Sequence, residues 1–245
     1  MGISPSTLFH FTNKNGLKGI LKDNFKIKYC LEKLPNRKES GNIAIPMVSF
    51  CDIKISEIKE HIEKYGQYGI GLSKDWANQK KLSPVFYQNL NSGFSNGLIK
   101  NMSDFIMSDI EDRFKDIIID LIRLSKEYEG TLKRGNKIIS KKYRFADERE
   151  WRYVPEMNMN KKFPDFLLET EYDTADKKRN ANTKLSEELL YFNANQIMYL
   201  IVKEESEINE LITHIRTVKG KNYSMEEVDR LTTRIISCER ILNDF

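Results

Sequence analysis

"LFHFTNKNGLKGIL", residues 8–21, carries two hydrophobic periods in immediate succession. Strand side chains repeat every two residues, so Phe9 and Phe11 share one face while His10 and Thr12 share the other. Leu17, Ile20 and Leu21 then recur at helical spacing, which predicts a short helix behind the strand. An imidazole and a hydroxyl side by side at a strand end can hold sugar hydroxyls through donor and acceptor atoms. A histidine satisfied by a backbone carbonyl is the plainer alternative, and these residues by themselves favour it.

Working outward, "FKIKYC" alternates as a second strand, and "EKLPNRKESGN" is a polar loop with Pro35 and Gly41. "IAIPMVSFCDI" is an apolar run too short for a helix, so it predicts a buried strand. "SEIKEHIEKYG" predicts a helix capped by Ser56 and ended by Gly66. "YGIGLSKDWANQK" predicts a strand turning into a helix, with Ser73 or Asp75 near its cap, and "SPVFYQN" another strand. Residues 98–128 form an expected helical insertion, with Phe105, Ile106, Ile110, Phe114, Ile117 and Leu121 on its core face. "EREWRYVP" suits a strand stopped by Pro155. The polar, lysine-rich segment 156–186 is expected to be a flexible loop, with "TADKKRNANTK" its least structured part. The last part predicts strand, turn, strand, amphipathic helix, a short capped helix and a β-branched final strand. Strands and helices mix without regular alternation, so the expected class is α+β, and no composition shift divides residues 1–245 into domains.

With 245 residues, 40% of them hydrophobic, the chain can bury a substantial core. Its 40 basic and 36 acidic residues leave a net charge of +4, an ordinary solvated surface. Cys30, Cys51 and Cys238 lie far apart and odd in number, so neither a disulfide framework nor a metal site is expected. "MGISPS" matches the short N-myristoylation pattern through Gly2 and Ser6, a match that arises easily by chance. No signal peptide and no membrane span are expected, which makes a cytoplasmic protein the default.

Further chemistry-bearing clusters stand out. In "EREW", Glu148 and Glu150 share one strand face, and paired carboxylates suit base catalysis or stabilisation of a cationic transition state. A charged edge strand explains them as cheaply. Arg152 follows, placed to orient a phosphate or pair with an acid. In "VSFCDI", Ser49 and Cys51 share a face opposite Phe50, and Cys51 reads better as a small buried residue than as a nucleophile. "KRGNKIISKKYR", residues 133–144, interleaves Tyr143 with cations as a nucleic-acid binder would, or simply forms a solvated loop. Walker, GxSxG, HExxH and full dinucleotide-binding signatures are absent, and "GIG" at residues 69–71 is too short to stand for one.

In order, "LFHFTNKNGLKGILKDNFKIKYCLEKL", "IPMVSFCDIKISEIKEHIEKYGQYGIGLSKDWANQKKLSPVFY" and "FADEREWRYVP" resemble the AbiGi family of abortive phage infection proteins. That resemblance covers residues 8–240 and implies a phage-resistance or antitoxin-like component. A more distant likeness links "HFT" and "GLKGILKDNF" to DarT-like and poly-ADP-ribose-polymerase-like ADP-ribosyltransferases. It implies a split β-sheet core with NAD as substrate and a protein or nucleic-acid acceptor. By that likeness His10 and Thr12 hold NAD, Ser49 with Phe50 supplies the second motif, and Glu150 is the catalytic acid. Glu148 would orient the acceptor, and Tyr65 or Tyr68 would replace the stacking tyrosine that "SFCDI" lacks. The alternative implied by the AbiGi resemblance is an inactive antitoxin or regulatory partner of a cognate toxin.

Overall fold

A computed structural model describes residues 4–34, 41–95, 97, 108–109, 111–134, 137–157 and 162–244. Along the chain the order begins β1 (Thr7–Thr12), α1 (Lys14–Asp23), β2 (Phe25–Lys26), β3 (Lys28–Lys33), β4 (Asn42–Cys51) and α2 (Lys59–Tyr65). Next come β5 (Tyr68–Ser73), α3 (Lys74–Gln79), β6 (Ser83–Pro84), β7 (Phe86–Gln88), α4 (Asp112–Arg123) and β8 (Ser125–Glu127). Then follow β9 (Glu129–Arg134), β10 (Lys137–Arg144), β11 (Glu150–Tyr153), β12 (Leu167–Leu168), α5 (Ala175–Thr183) and β13 (Leu189–Leu190). The chain closes with β14 (Ile197–Val202), α6 (Ile208–Lys219), α7 (Met225–Thr232), β15 (Ile235–Ser237) and α8 (Cys238–Asp244). Strands and helices are mixed, and so is the sheet.

The chain divides into two compact units, each discontinuous in sequence: residues 1–26, 49–82 and 188–245 make the first, residues 27–48 and 83–187 the second. The first is built on strands in the order β15-β14-β5-β1-β4, antiparallel except for the parallel pair β14–β15. Alternation in β1 sends Phe9 into a core with Cys51, Ile53, Ile58, Ile62, Ile201, Cys238 and Ile241, against which Phe11 packs. His10 emerges on the other face, beside Phe25 and Phe50. Helix α1 buries Leu17, Ile20 and Leu21, the three residues its spacing singles out, and starts where the Asn13 side chain accepts the Gly16 N–H. Ser73 caps α3 by accepting the Trp76 N–H.

The two glycines of "GIG" have a steric rather than a phosphate-binding purpose. A Cβ at Gly71 would lie 2.9 Å from the Phe9 ring and 2.9 Å from Thr7 Cγ2, and one at Gly69 would lie 3.2 Å from the Phe11 ring. Strand β5 thus leaves bare backbone where β1 lays two aromatic rings across it. Gly66 does close α2, at φ 124, a conformation open to glycine. Ser56 is not the helix cap: it sits in a 3₁₀ turn, Ile55–Glu57, and α2 begins after Ile58 without a side-chain cap. A helix, α8, follows the expected final strand, and its buried Cys238 and Ile241 complete the Phe9 core.

In the second unit β3 pairs along β4 from Lys28↔Met47 to Lys33↔Asn42, and β12 also pairs with β4. Strand β4 contributes residues 42–48 here and residues 49–51 to the first unit. The helical insertion needs correcting. Helix α4 ends at Arg123 and gives way to strand β8, while Phe105, Ile106 and Ile110 lie outside the described residues. Of its expected core face, Phe114 and Ile117 are exposed; the packing against Leu34, Ile43, Ile45 and Met47 comes from Ile118 and Ile122. The segment read as a flexible loop, 156–186, carries β12 and α5 within its described part. Thr174 caps α5, and Asn182 bridges it to the Tyr29 N–H at 2.9 Å and the Tyr172 hydroxyl at 2.9 Å. Polar anchoring here does what an apolar stripe does elsewhere, which is why hydrophobic periodicity misses this helix.

Candidate functional site

His10 and Ser49 meet in the first unit. The His10 Nδ1 lies 2.8 Å from the Ser49 carbonyl oxygen, so Nδ1 carries the proton and donates. The imidazole is set edge-on to Phe25 with centroids 5.2 Å apart and tilted against Phe50 at 5.6 Å. Phe25 and Phe50 in turn meet the fully buried Trp76, whose Nε1–H donates to the Tyr191 carbonyl at 3.0 Å. Burial lowers the His10 pKa from its ordinary 6.5, while the bond to Ser49 raises it in partial compensation.

Thr12 ends β1 opposite Tyr68, with its Oγ1 against Gly16, where a Cβ would come within 2.1 Å of it. Neither tyrosine offered as a stacking surface lies against His10 in a ring contact among the described residues. Tyr65 is exposed and flanks His61 at 5.9 Å. Tyr68 donates its hydroxyl to both carboxylate oxygens of Glu207 at 2.8 and 2.9 Å, and burial with that bond raises it to about 12. Lys14 pairs with the same Glu207 and with Glu210, making an ionic surface network.

The acids of "EREW" lie in the second unit, and their placement corrects the shared strand face. Glu148 closes a 3₁₀ turn, Phe145–Glu148; Arg149 follows in the left-handed region at φ 46, and the strand begins only at Glu150. Both carboxylates still reach one cation: Lys126 Nζ is 3.0 Å from Glu148 Oε2 and 2.8 Å from Glu150 Oε2. Strand alternation puts Arg152 on the Glu150 side. Its Nε donates to Glu150 Oε1 at 2.7 Å and its Nη2 to Glu150 Oε2 at 3.2 Å and to Glu32 Oε2 at 2.9 Å. The remaining Nη1 donates to the Arg123 carbonyl at 3.0 Å. Arg152 is fully buried, and the Glu150 N–H donates to the Tyr87 hydroxyl at 2.8 Å.

Burial alone would push the Glu150 carboxyl up, but the charges of Arg152 and Lys126 and their hydrogen bonds hold it well below the usual carboxylate range. Burial likewise opposes the charge on Lys126, and Glu150, Glu32 and Glu148 more than offset it. Lys126, Glu32 and Tyr87 are the members that sequence reasoning missed. They come from distant strands, and no local sequence pattern connects them to Glu150; only the burial of Arg152 and the two acids, seen in the structure, calls for such partners. Among the described residues, no group of three or more histidines, cysteines or acids is arranged to hold a metal ion. Nor is any helix there long and apolar enough to cross a membrane.

The family model described as "abortive phage resistance protein AbiGi, antitoxin" matches residues 23–203. The chain belongs to the AbiGi family. It is 29% identical over 223 residues to the "Abortive phage resistance protein AbiGi" of Lactococcus lactis subsp. cremoris, covering 82% of this chain and 89% of that relative. No solved structure matches. The matched span begins at Asp23, the last residue of α1, so the His10 strand of this AbiGi chain lies outside the family model while Ser49 and the Glu150–Arg152 cluster lie within it.

The lowered His10 pKa has a definite consequence for stability. An unfolded His10 takes up a proton near pH 6.5 while the folded one resists it, so between its lowered folded pKa and 6.5 the unfolded state binds more protons. Its contribution is therefore complete above pH 6.5 and lost as pH falls through that window. Urea titrations at pH 7.5, 6.5 and 5.5 should show wild type losing stability on acidification, with a shallower slope for His10→Gln. Equal slopes would mean that His10 does not titrate differently on folding.

Proposed function

We propose that this AbiGi chain acts in abortive infection as an antitoxin-type component that binds and restrains a toxic partner without turning over a substrate of its own. The observation that supports this is the state of Glu150. Both of its carboxylate oxygens are taken by Arg152 and Lys126, and its affinity for protons is far too low for a general base, whose pKa should lie near the working pH. The family description as an antitoxin points the same way. Tagged full-length protein recovered from its native host should carry a stoichiometric protein partner that arrests growth when expressed alone. Co-expression of the Glu150→Gln variant should still neutralise that partner. Loss of neutralisation by a correctly folded Glu150→Gln protein would overturn the proposal.

ADP-ribosyl transfer is the second reading, and the His10–Ser49 contact favours it. The residues assigned by likeness to the first and second NAD motifs are bonded at 2.8 Å. In that reaction nicotinamide leaves, a cationic ribosyl centre forms, and an ionised carboxylate near it lowers the barrier by electrostatic stabilisation rather than by proton transfer. An ionised Glu150 is compatible with that role. Incubation with labelled NAD and host lysate discriminates between the two readings. Label transfer that Glu150→Gln abolishes supports the enzyme; no transfer, with no NAD-induced rise in melting temperature, supports the antitoxin.

A further inference from the structure

The basic segment "KRGNKIISKKYR" plays no part in either reading above. In the structure its described part is mostly strand: among the described residues β10 pairs with β9 alone, from Lys137↔Arg134 to Arg144↔Glu129, as a two-stranded antiparallel ribbon. The ribbon has an anchored base. Leu132 is buried, Tyr143 stands edge-on to Phe145 with centroids 5.1 Å apart, and Lys126 lies over the Phe145 ring at 4.9 Å. Strand β10 itself is exposed along most of its length. The ladder shifts register on either side of Ser140, and the neighbouring Ile138 and Ile139 are both left exposed, at 48% and 46%.

Strand β10 bears four cations, Lys137, Lys141, Lys142 and Arg144, and no acid. Their sum equals the net charge of the entire chain, +4, so the remaining residues balance to zero. Little on the protein neutralises these cations. Among the described residues, Lys137 and Lys141 have no ion-pair partner, while Lys142 and Arg144 reach Glu129 and Asp147 only at 4.0 and 3.8 Å. Such outer-limit pairs at exposed positions contribute little. Four cations on one exposed strand, against the single acid Glu129 on its partner, call for a polyanion.

We propose that the β9–β10 ribbon is a binding element for duplex DNA. Two strands about 4.8 Å apart, with their side chains, fit the roughly 12 Å major groove of B-form DNA. The deep, narrow major groove of duplex RNA excludes such an element. The four β10 cations face phosphates, and Ile138 and Ile139 meet the apolar surface of the groove, where thymine methyl groups lie. An acidic protein surface would satisfy the cations as well, but the regular phosphate spacing of a duplex suits cations spread along a strand that rises about 3.4 Å per residue.

The test uses full-length protein and a fluorescein-labelled 30-base-pair DNA duplex, read by anisotropy from 50 to 200 mM NaCl. With four phosphate contacts the affinity should fall roughly 10²-fold across that range. The double variant Lys141→Gln/Lys142→Gln should bind more weakly and reduce the magnitude of the log–log salt slope by about 2. Its melting temperature should match wild type, because the side chains removed are exposed. Ile138→Ser/Ile139→Ser should weaken binding and leave the salt slope unchanged. No binding at 50 mM salt, or an unchanged slope in the lysine variant, would overturn the proposal. So would competition by polyglutamate or duplex RNA as effective, charge for charge, as unlabelled DNA duplex; the first would mark the ribbon as a docking site for acidic protein. None of these outcomes depends on whether the chain neutralises a toxin or transfers ADP-ribose.

Discussion

Arg152→Ala should destabilise the protein by about 3–5 kcal/mol, because it strands two carboxylates that Arg152 now neutralises in or near the interior. Glu150 would lose bonds at 2.7 and 3.2 Å, Glu32 one at 2.9 Å, and the Arg123 carbonyl a donor at 3.0 Å. Lys126 would remain as the nearby cation, 2.8 Å from Glu150, and cannot reproduce the planar two-bond clasp of a guanidinium. Urea unfolding followed by circular dichroism measures the effect. A double variant, Glu150→Gln with Arg152→Met, should recover part of the loss, since the main penalty is an uncompensated buried charge rather than a missing attraction. A loss below about 1 kcal/mol for Arg152→Ala would show that water or Lys126 solvates the stranded acids.

Trp76→Ala should be comparably damaging in the other unit. The side chain is completely buried, shares ring contacts with Phe25 and Phe50, and satisfies its own N–H on the Tyr191 carbonyl. Truncation removes the apolar burial and leaves a cavity under the His10 face of β1, at about 3–5 kcal/mol for an aromatic-to-alanine change. For a chain of this size the melting temperature should drop on the order of 10 °C. The chain's two tryptophans, Trp76 and Trp151, fall in different units, so in Trp76→Ala the fluorescence of Trp151 reports on the second unit alone. If the Trp151 signal melts at its wild-type temperature while circular dichroism shows an earlier transition, the damage is confined as expected. A protein that melts as wild type by both probes would sink the prediction.

What the sequence makes legible here is whatever one segment decides for itself. The two faces of β1, the buried triad of α1, the Ser73 cap and the capping of α7 by Ser224 all follow from spacing within a few residues. Contacts across long separations are another matter. The glycines of β5 are explained by rings from β1, and the Glu150–Arg152 pair is completed by Lys126 on the acid and Glu32 on the arginine, which no local pattern connects to it. Glu148 shows the limit within a single motif. Alternation assumes an unbroken strand, and one residue at positive φ, Arg149, breaks it. Helix α5 fails differently: its stability rests on bonds from Asn182 and Tyr172 to the backbone of Tyr29, contacts that composition cannot reveal.

The interleaving of the two units along the chain sets the order in which they can be made. All residues of the second unit lie before Glu188, whereas the first unit needs residues 188–245 to supply β14 and β15 to its sheet. On a translating ribosome the second unit is therefore complete while β5 still has an edge open for β14, and the Phe9 face of β1 still lacks Ile201, Cys238 and Ile241. Strand pairing over such separations is slow and exposes edges that invite association. Synthesis thus hands the nascent chain a period in which its N-terminal strand has been out longest and its apolar face is still uncovered.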